Sequence, residues 1–151
     1  MSVQIKNLTT VALPRSADSR VDHPGGAKIN RIPLDGTIYD LYVAASSATI
    51  KKAAIVKSLR ITNTHDAPVL IDLYYTDDVI VGTTVSGTEC RRRRIAPPLI
   101  RLAVGFSYID DGEVTLDPVA RIQASAKPEN GATQPTKWID YLISGIERDI
   151  S

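Results

Sequence analysis

The sequence predicts an all-β protein: an antiparallel β-sandwich of jelly-roll-like type, preceded by an extended N-terminal arm. Three observations carry that prediction. After Gly36 the chain breaks into seven or eight short runs rich in β-branched and aromatic residues, about 8 to 12 residues apart and separated by Gly, Pro, Asp and Asn text. Helical periodicity is almost absent. With 151 residues and 43% hydrophobic content, the chain is one domain in size and long enough to bury a core.

Residues 1–36 read as the arm. The text "LPRSADSRVDHPGGAKINRIPLDG" holds three prolines and three glycines, with scattered charge and no apolar period. One short strand is expected near Val3 to Leu8. The arm buries too little apolar surface by itself to offset its ordering entropy, so it either orders against a partner or stays a loose terminus.

Residues 37–151 read as the sandwich. "TIYDLYVA" alternates, and so does "AAIVKSLRITN", which places Ile55, Lys57, Leu59 and Ile61 on one face. The Ala-rich "AASSATIKKAAIVK" lacks a clean apolar stripe and reads as a loop running into that strand. "THDAP" supplies a turn, with Asp66 bonding the backbone ahead of it, and "VLIDLYY" follows, so the two strands read as a hairpin. "PLIRLAV", "FSYI", "EVTL", "VARIQASA" and "KWIDYLISGIE" complete the strands. Leu59, Ile61, Ile71, Leu73, Leu142 and Ile146 are the expected core.

The charge pattern has one anomaly. Four of the 18 Lys and Arg are consecutive, Arg91, Arg92, Arg93 and Arg94, leaving the rest of the chain with fewer cations than its 17 Asp and Glu. A polyanion binder spreads its cations along a groove or stripe instead. In a strand, two of these arginines would face the core at a cost of several kcal/mol per unpaired ion, so the block belongs on a loop or an edge. The Gly, Ser and Thr-rich "TDDVIVGTTVSGTE" before it predicts a long hairpin tip. Several roles stay open. The block pairs internally with Asp77, Asp78 or Glu89, or it meets acidic groups such as Asp110, Asp111, Glu113 or Asp117 of a neighbouring subunit. A nucleic-acid contact lacks interleaved aromatics, and a tetrabasic cleavage site lacks other signs of processing.

Catalytic and metal chemistry find little footing. Cys90 beside the arginines and the His65–Asp66 pair are the nucleophile and base candidates, but no nucleophile-elbow or phosphate-binding glycine pattern accompanies them. One cysteine permits no internal disulfide, and His23 and His65 have no cysteine cluster with which to hold zinc. "DDGE" at 110–113 lacks calcium-loop spacing. No enzyme activity, cofactor or metal is expected. No signal-like start or 18-residue apolar run occurs, so a soluble protein is expected.

The series "GTIYDLYVA", "AAIVKSLRITNTHDAPVLIDLYY", "RIAPPLIRLAV", "GEVTLDPVARIQASA" and "IDYLISGIE" resembles small β-sandwich virion structural proteins of tailed bacteriophages. The resemblance spans about residues 37 to 147 and departs at "LDPVARIQASA", where Asp-Pro replaces the usual Gly-Asp before the strand. It implies a non-catalytic virion component repeated around a symmetric particle. The leading expectation is a capsid decoration or cement protein, homo-oligomeric as a trimer or ring and bound to other virion proteins. The alternatives are a neck or tail accessory protein and a carbohydrate-binding β-sandwich at the virion surface. Nucleic acid and membrane are not expected partners.

Overall fold

The computed structural model describes residues 5–7, 13–14, 31–44, 51–81 and 84–150. The expectations for most of the arm, with His23, and for residues 45–50 fall outside these. The described residues contain twelve strands: β1 (Ile5–Asn7), β2 (Leu13–Pro14), β3 (Arg31–Leu34), β4 (Tyr39–Val43), β5 (Lys52–Thr62), β6 (Val69–Val81), β7 (Thr84–Arg94), β8 (Ile100–Leu102), β9 (Ser107–Asp110), β10 (Val114–Leu116), β11 (Arg121–Pro128) and β12 (Gln134–Asp149). They form two antiparallel six-stranded sheets in a sandwich-like arrangement, the class the sequence predicts.

The first sheet is built on the long pair β5–β12. β1 and β3 share the far edge of β12, and β9 and β10 share the far edge of β5. The second sheet runs β2, β4, β11, β6, β7, with β8 also on β6. Between them lie Ile32, Leu34, Leu41, Ile61, Ile71, Leu73, Leu116, Ile122, Ile139 and Ile143, all with at most 1% exposure. Two hydroxyls tie one sheet to the other: Tyr141 donates to the Leu41 carbonyl at 3.1 Å and Tyr42 to Glu147 Oε1 at 2.5 Å. Ile32 and Leu34 come from a stretch expected in the arm. "RIPL" alternates over too few residues to stand out in the sequence, and Pro33 is tolerated because β3 lies at an edge.

Several expectations are corrected. β5 and β6 are not a hairpin: β5 pairs with β12, β9 and β10 in the first sheet, while β6 pairs with β11, β7 and β8 in the second. The connecting turn crosses between sheets around buried Asn63. Its Oδ1 accepts the His65 amide at 2.9 Å, and its Nδ2 donates to the carbonyls of Ala67 at 2.9 Å and Leu102 at 3.0 Å. Asn63, not Asp66, therefore supplies the side-chain bond that shapes this turn.

Leu142 is not core. Ile139, Tyr141 and Ile143 face inward, so strand alternation turns Leu142 to solvent, where it is 44% exposed. Ile146 shares the outward parity of Leu142 and is only half-buried; beside it the register of β12 on β5 shifts between Ser144, opposite Ser58, and Gly145, opposite Val56. Lys57 is the extra residue of this bulge and reverses the alternation. Beyond it Leu59 and Ile61 face the core. Before it the core positions are Ala54 and Val56, not Ile55. Gly145 is what lets the strands close on the bulge, since a Cβ there would lie 2.1 Å from the Ile55 carbonyl oxygen.

The Asp117-Pro118 segment forms a defined turn. The Ala120 amide donates to the Asp117 carbonyl at 2.9 Å, closing a turn with Pro118 second and Val119 third at φ +68°. A type II turn has this plan and prefers glycine or asparagine where Val119 sits, so the valine is strained.

Candidate functional site

The arginine block lies in a strand rather than at a loop tip. β6 continues to Val81 and β7 returns antiparallel, setting Arg94 opposite Tyr74, Arg93 opposite Tyr75, Arg92 opposite Thr76 and Arg91 opposite Asp77. β7 is an edge strand of the second sheet. Arg92, Arg93 and Arg94 are all exposed, so neither face of this segment drives a guanidinium into the core. The desolvation cost that rules out a central strand leaves a sheet edge open, and a row of cations there also opposes strand-to-strand aggregation.

Alternation divides the arginines. Arg92 and Arg94 share a face, with their guanidinium carbons 5.4 and 5.1 Å from the centroid of the Tyr74 ring. Arg94 forms an ion pair with Asp72, and hydrogen bonding to that carboxylate raises the guanidinium pKa. Asp72 Oδ1 also accepts the Leu99 amide at 3.0 Å, holding the "IAPPL" return with Leu99 at φ +52°. Arg92 Nε donates to Gln123 Oε1 at 3.2 Å. Arg93 points to the other face, and no hydrogen bond or ion pair joins it to any described residue.

Gln123 anchors a polar network on the outer face of the second sheet. It is fully buried. Its Oε1 also accepts the Thr76 hydroxyl at 2.7 Å, and its Nε2 donates to Asp40 Oδ1 at 2.6 Å. Asp40 in turn holds Arg121 at 3.1 Å. Buried polar groups satisfied in this way fix one arrangement of side chains. Among the described residues, the internal partners of Arg92 and Arg94 are thus Asp72, Tyr74 and Gln123. The side chains of Asp77, Asp78, Glu89, Cys90 and Arg91 lie outside what the structure describes. The network was legible in part: Asp40, Asp72, Thr76, Arg121 and Gln123 are the polar members of alternating strands, and only pairing across β4, β11 and β6 brings them together.

The acidic counterparts lie on the other sheet. Asp110 accepts the Gly112 amide at 2.8 Å and the Tyr108 hydroxyl at 3.4 Å, and Glu113 forms an ion pair with Lys57. Asp111 and Asp117 are exposed and make no ion pair with described residues. Among the described residues, no hydrogen bond or ion pair joins these carboxylates to Arg92, Arg93 or Arg94. His65 Nε2 lies 3.3 Å from Asp66 Oδ1. The described residues contain no group of three or more His, Cys, Asp or Glu placed to hold a metal, and no helix long and apolar enough to cross a membrane.

No protein-family model and no curated protein matches the chain. Among solved structures, it is similar to a chain in the crystal structure of the T13 IBDV viral particle, with TM-score 0.51 and 8% identity over 96% of this chain and 30% of that one. It is also similar to a chain of infectious bursal disease virus strain Gx, with TM-score 0.47 and 11% identity over 97% of this chain and 32% of that one. The chain spans about a third of the length of these two chains, and the likeness to the first is one of fold.

Proposed function

We propose that this chain is a non-enzymatic structural protein of a virion, and within that class a capsid decoration or cement protein of a tailed bacteriophage. The observation that carries this reading is the fold it shares, along 96% of its length, with a chain of an icosahedral virus particle. The strand motifs resembling tailed-phage virion proteins supply the finer assignment, with residues 1–36 as an arm whose strand β3 docks on β12 of the sandwich of residues 37–151.

In this reading the edge of the second sheet contacts a neighbour. Arg94 and Arg92 are held by Asp72 and Gln123 and keep the edge in shape, while Arg93 is, among the described arginines of the block, the charge available across the interface. Asp111 and Asp117 are the acidic counterparts best placed to receive it from an adjacent copy, since Asp110 and Glu113 already serve their own subunit. Such a contact joins two different patches and therefore builds rings or trimers. Mutually complementary charge sets register and association rate more than raw affinity.

The test is the mass of the purified chain by native mass spectrometry over a range of concentrations, together with an electron cryomicroscopy map of the assembled particle. The reading expects a closed oligomer that Arg93→Glu weakens and the charge swap Arg93→Glu with Asp111→Arg restores. Copy number and position in the map separate capsid decoration from a neck or tail location. A chain that stays monomeric at high concentration and has no density in the particle overturns it.

A further inference from the structure

We propose that the cleft of about 340 Å³ lined by Thr64, His65, Asp66, Thr136, Lys137 and Trp138 is a binding site for a pyranose sugar. It does not depend on how subunits assemble.

The cleft forms where the crossing turn after β5 meets the beginning of β12. There the β12–β3 ladder is interrupted: Gln134 pairs with Leu34 and Trp138 with Pro33, so residues 135–137 leave the regular ladder. Bulges of this kind recur beside binding sites because they re-aim side chains. Here Thr136 and Lys137 join the wall of the cleft.

Trp138 is a preorganised platform. The Arg31 guanidinium stacks on its indole at 4.2 Å, and Asp140 lies 3.9 Å from Arg31 Nε. A ring fixed before the ligand arrives loses little entropy on binding. Several tyrosines already carry structural duties: Tyr39 bonds Asp35, Tyr42 bonds Glu147, Tyr141 bonds Leu41, and Tyr74 lies beneath the arginines. Trp138 is the aromatic residue that a polar cleft adjoins.

The polar lining suits hydroxyl groups. The Asp66 side chain is 92% exposed despite its His65 neighbour, so its carboxylate oxygens stay open as acceptors. Lys137 makes no ion pair with described residues and supplies a donor, and two threonine hydroxyls do either. An aromatic wall with a carboxylate and an ammonium at its margin matches a sugar's C–H face and vicinal hydroxyls.

Trp138 is the only tryptophan in the chain, so its emission reports directly on this cleft. The intact protein is titrated with a panel of methyl pyranosides and N-acetylhexosamines, following tryptophan fluorescence and saturation-transfer NMR of the sugar. We expect a saturable emission change with at least one sugar, in the millimolar range. Asp66→Asn should weaken it by about tenfold, the cost of one charge-assisted hydrogen bond. Trp138→Ala, checked by circular dichroism for an intact fold, should abolish the saturation-transfer signal. The proposal is overturned by a silent panel, by full binding in Trp138→Ala, or by a response to inorganic phosphate alone.

Discussion

Gly145→Ala probes the most demanding contact in the first sheet. A Cβ at this position would stand 2.1 Å from the Ile55 carbonyl oxygen, 3.0 Å from the Val56 Cα and 3.1 Å from the Ile55 carbonyl carbon. All three are backbone atoms, so no rotamer relieves the clash. Ordinary contact begins near 3.4 Å, and β5 and β12 must therefore part by more than an ångström at the bulge. Ladder hydrogen bonds stretched that far are lost, each worth about 0.5 to 1.5 kcal/mol net. Displacement of the strands adds about 1 to 3 kcal/mol of packing strain, against about 0.4 to 1 kcal/mol gained from a stiffer unfolded chain. The expected loss is about 2 to 4 kcal/mol, a large part of a typical domain's stability. Urea denaturation followed by circular dichroism measures it. Gly131→Ala is the control: its φ is +92° but nothing lies within 4 Å, so only backbone strain of roughly 1 kcal/mol applies. A Gly145→Ala loss no larger than that of the control would refute the close-approach argument.

Other outcomes follow from the same structure. Leu142→Ser should change stability by no more than about 0.5 kcal/mol, whereas its neighbour Ile143→Ala should cost about 2 to 5 kcal/mol; equal losses in denaturation midpoints would show the alternation of β12 to be misassigned. Val119→Gly should raise the melting temperature, with about 0.5 to 1 kcal/mol of relieved strain left after the glycine's entropy cost. Burial raises the phenol pKa values of Tyr39, Tyr42 and Tyr141 above the usual 10.0, with Asp35 and Glu147 adding to the first two. A raised folded-state pKa gives stabilisation that is intact below pH 10 and lost as the pH climbs above it. Tyrosinate absorbance for these three should therefore appear together with alkaline unfolding; normal titration near pH 10 in a folded protein would contradict their burial. Arg94→Ser should lower stability more than Arg93→Ser, because only Arg94 is tied to Asp72; reversed thermal shifts would undo that division of roles.

Fold class and most strand positions could be read from the sequence because period-2 alternation and turn residues are local properties. "VLIDLYY" announces Ile71 and Leu73 as core without reference to any other strand, and "LDPVA" announces a turn. The single-letter pattern also carried the energetic case against arginines in a central strand, which the edge position of β7 respects. Other decisions depended on residues far apart in sequence. Whether β5 pairs with β6 or crosses to the other sheet turns on Asn63 bonding Leu102, 39 residues away. Ile55 and Leu59 share a face only if β5 is regular, and the Lys57 bulge is set by how β12 lies against it. Among the described residues, the neighbours of the arginines are Asp72 and Gln123, distant in sequence, because strand register, not chain distance, determines which side chains meet. Alternation is written residue by residue; pairing is a property of the closed core, and only the tertiary structure supplies it.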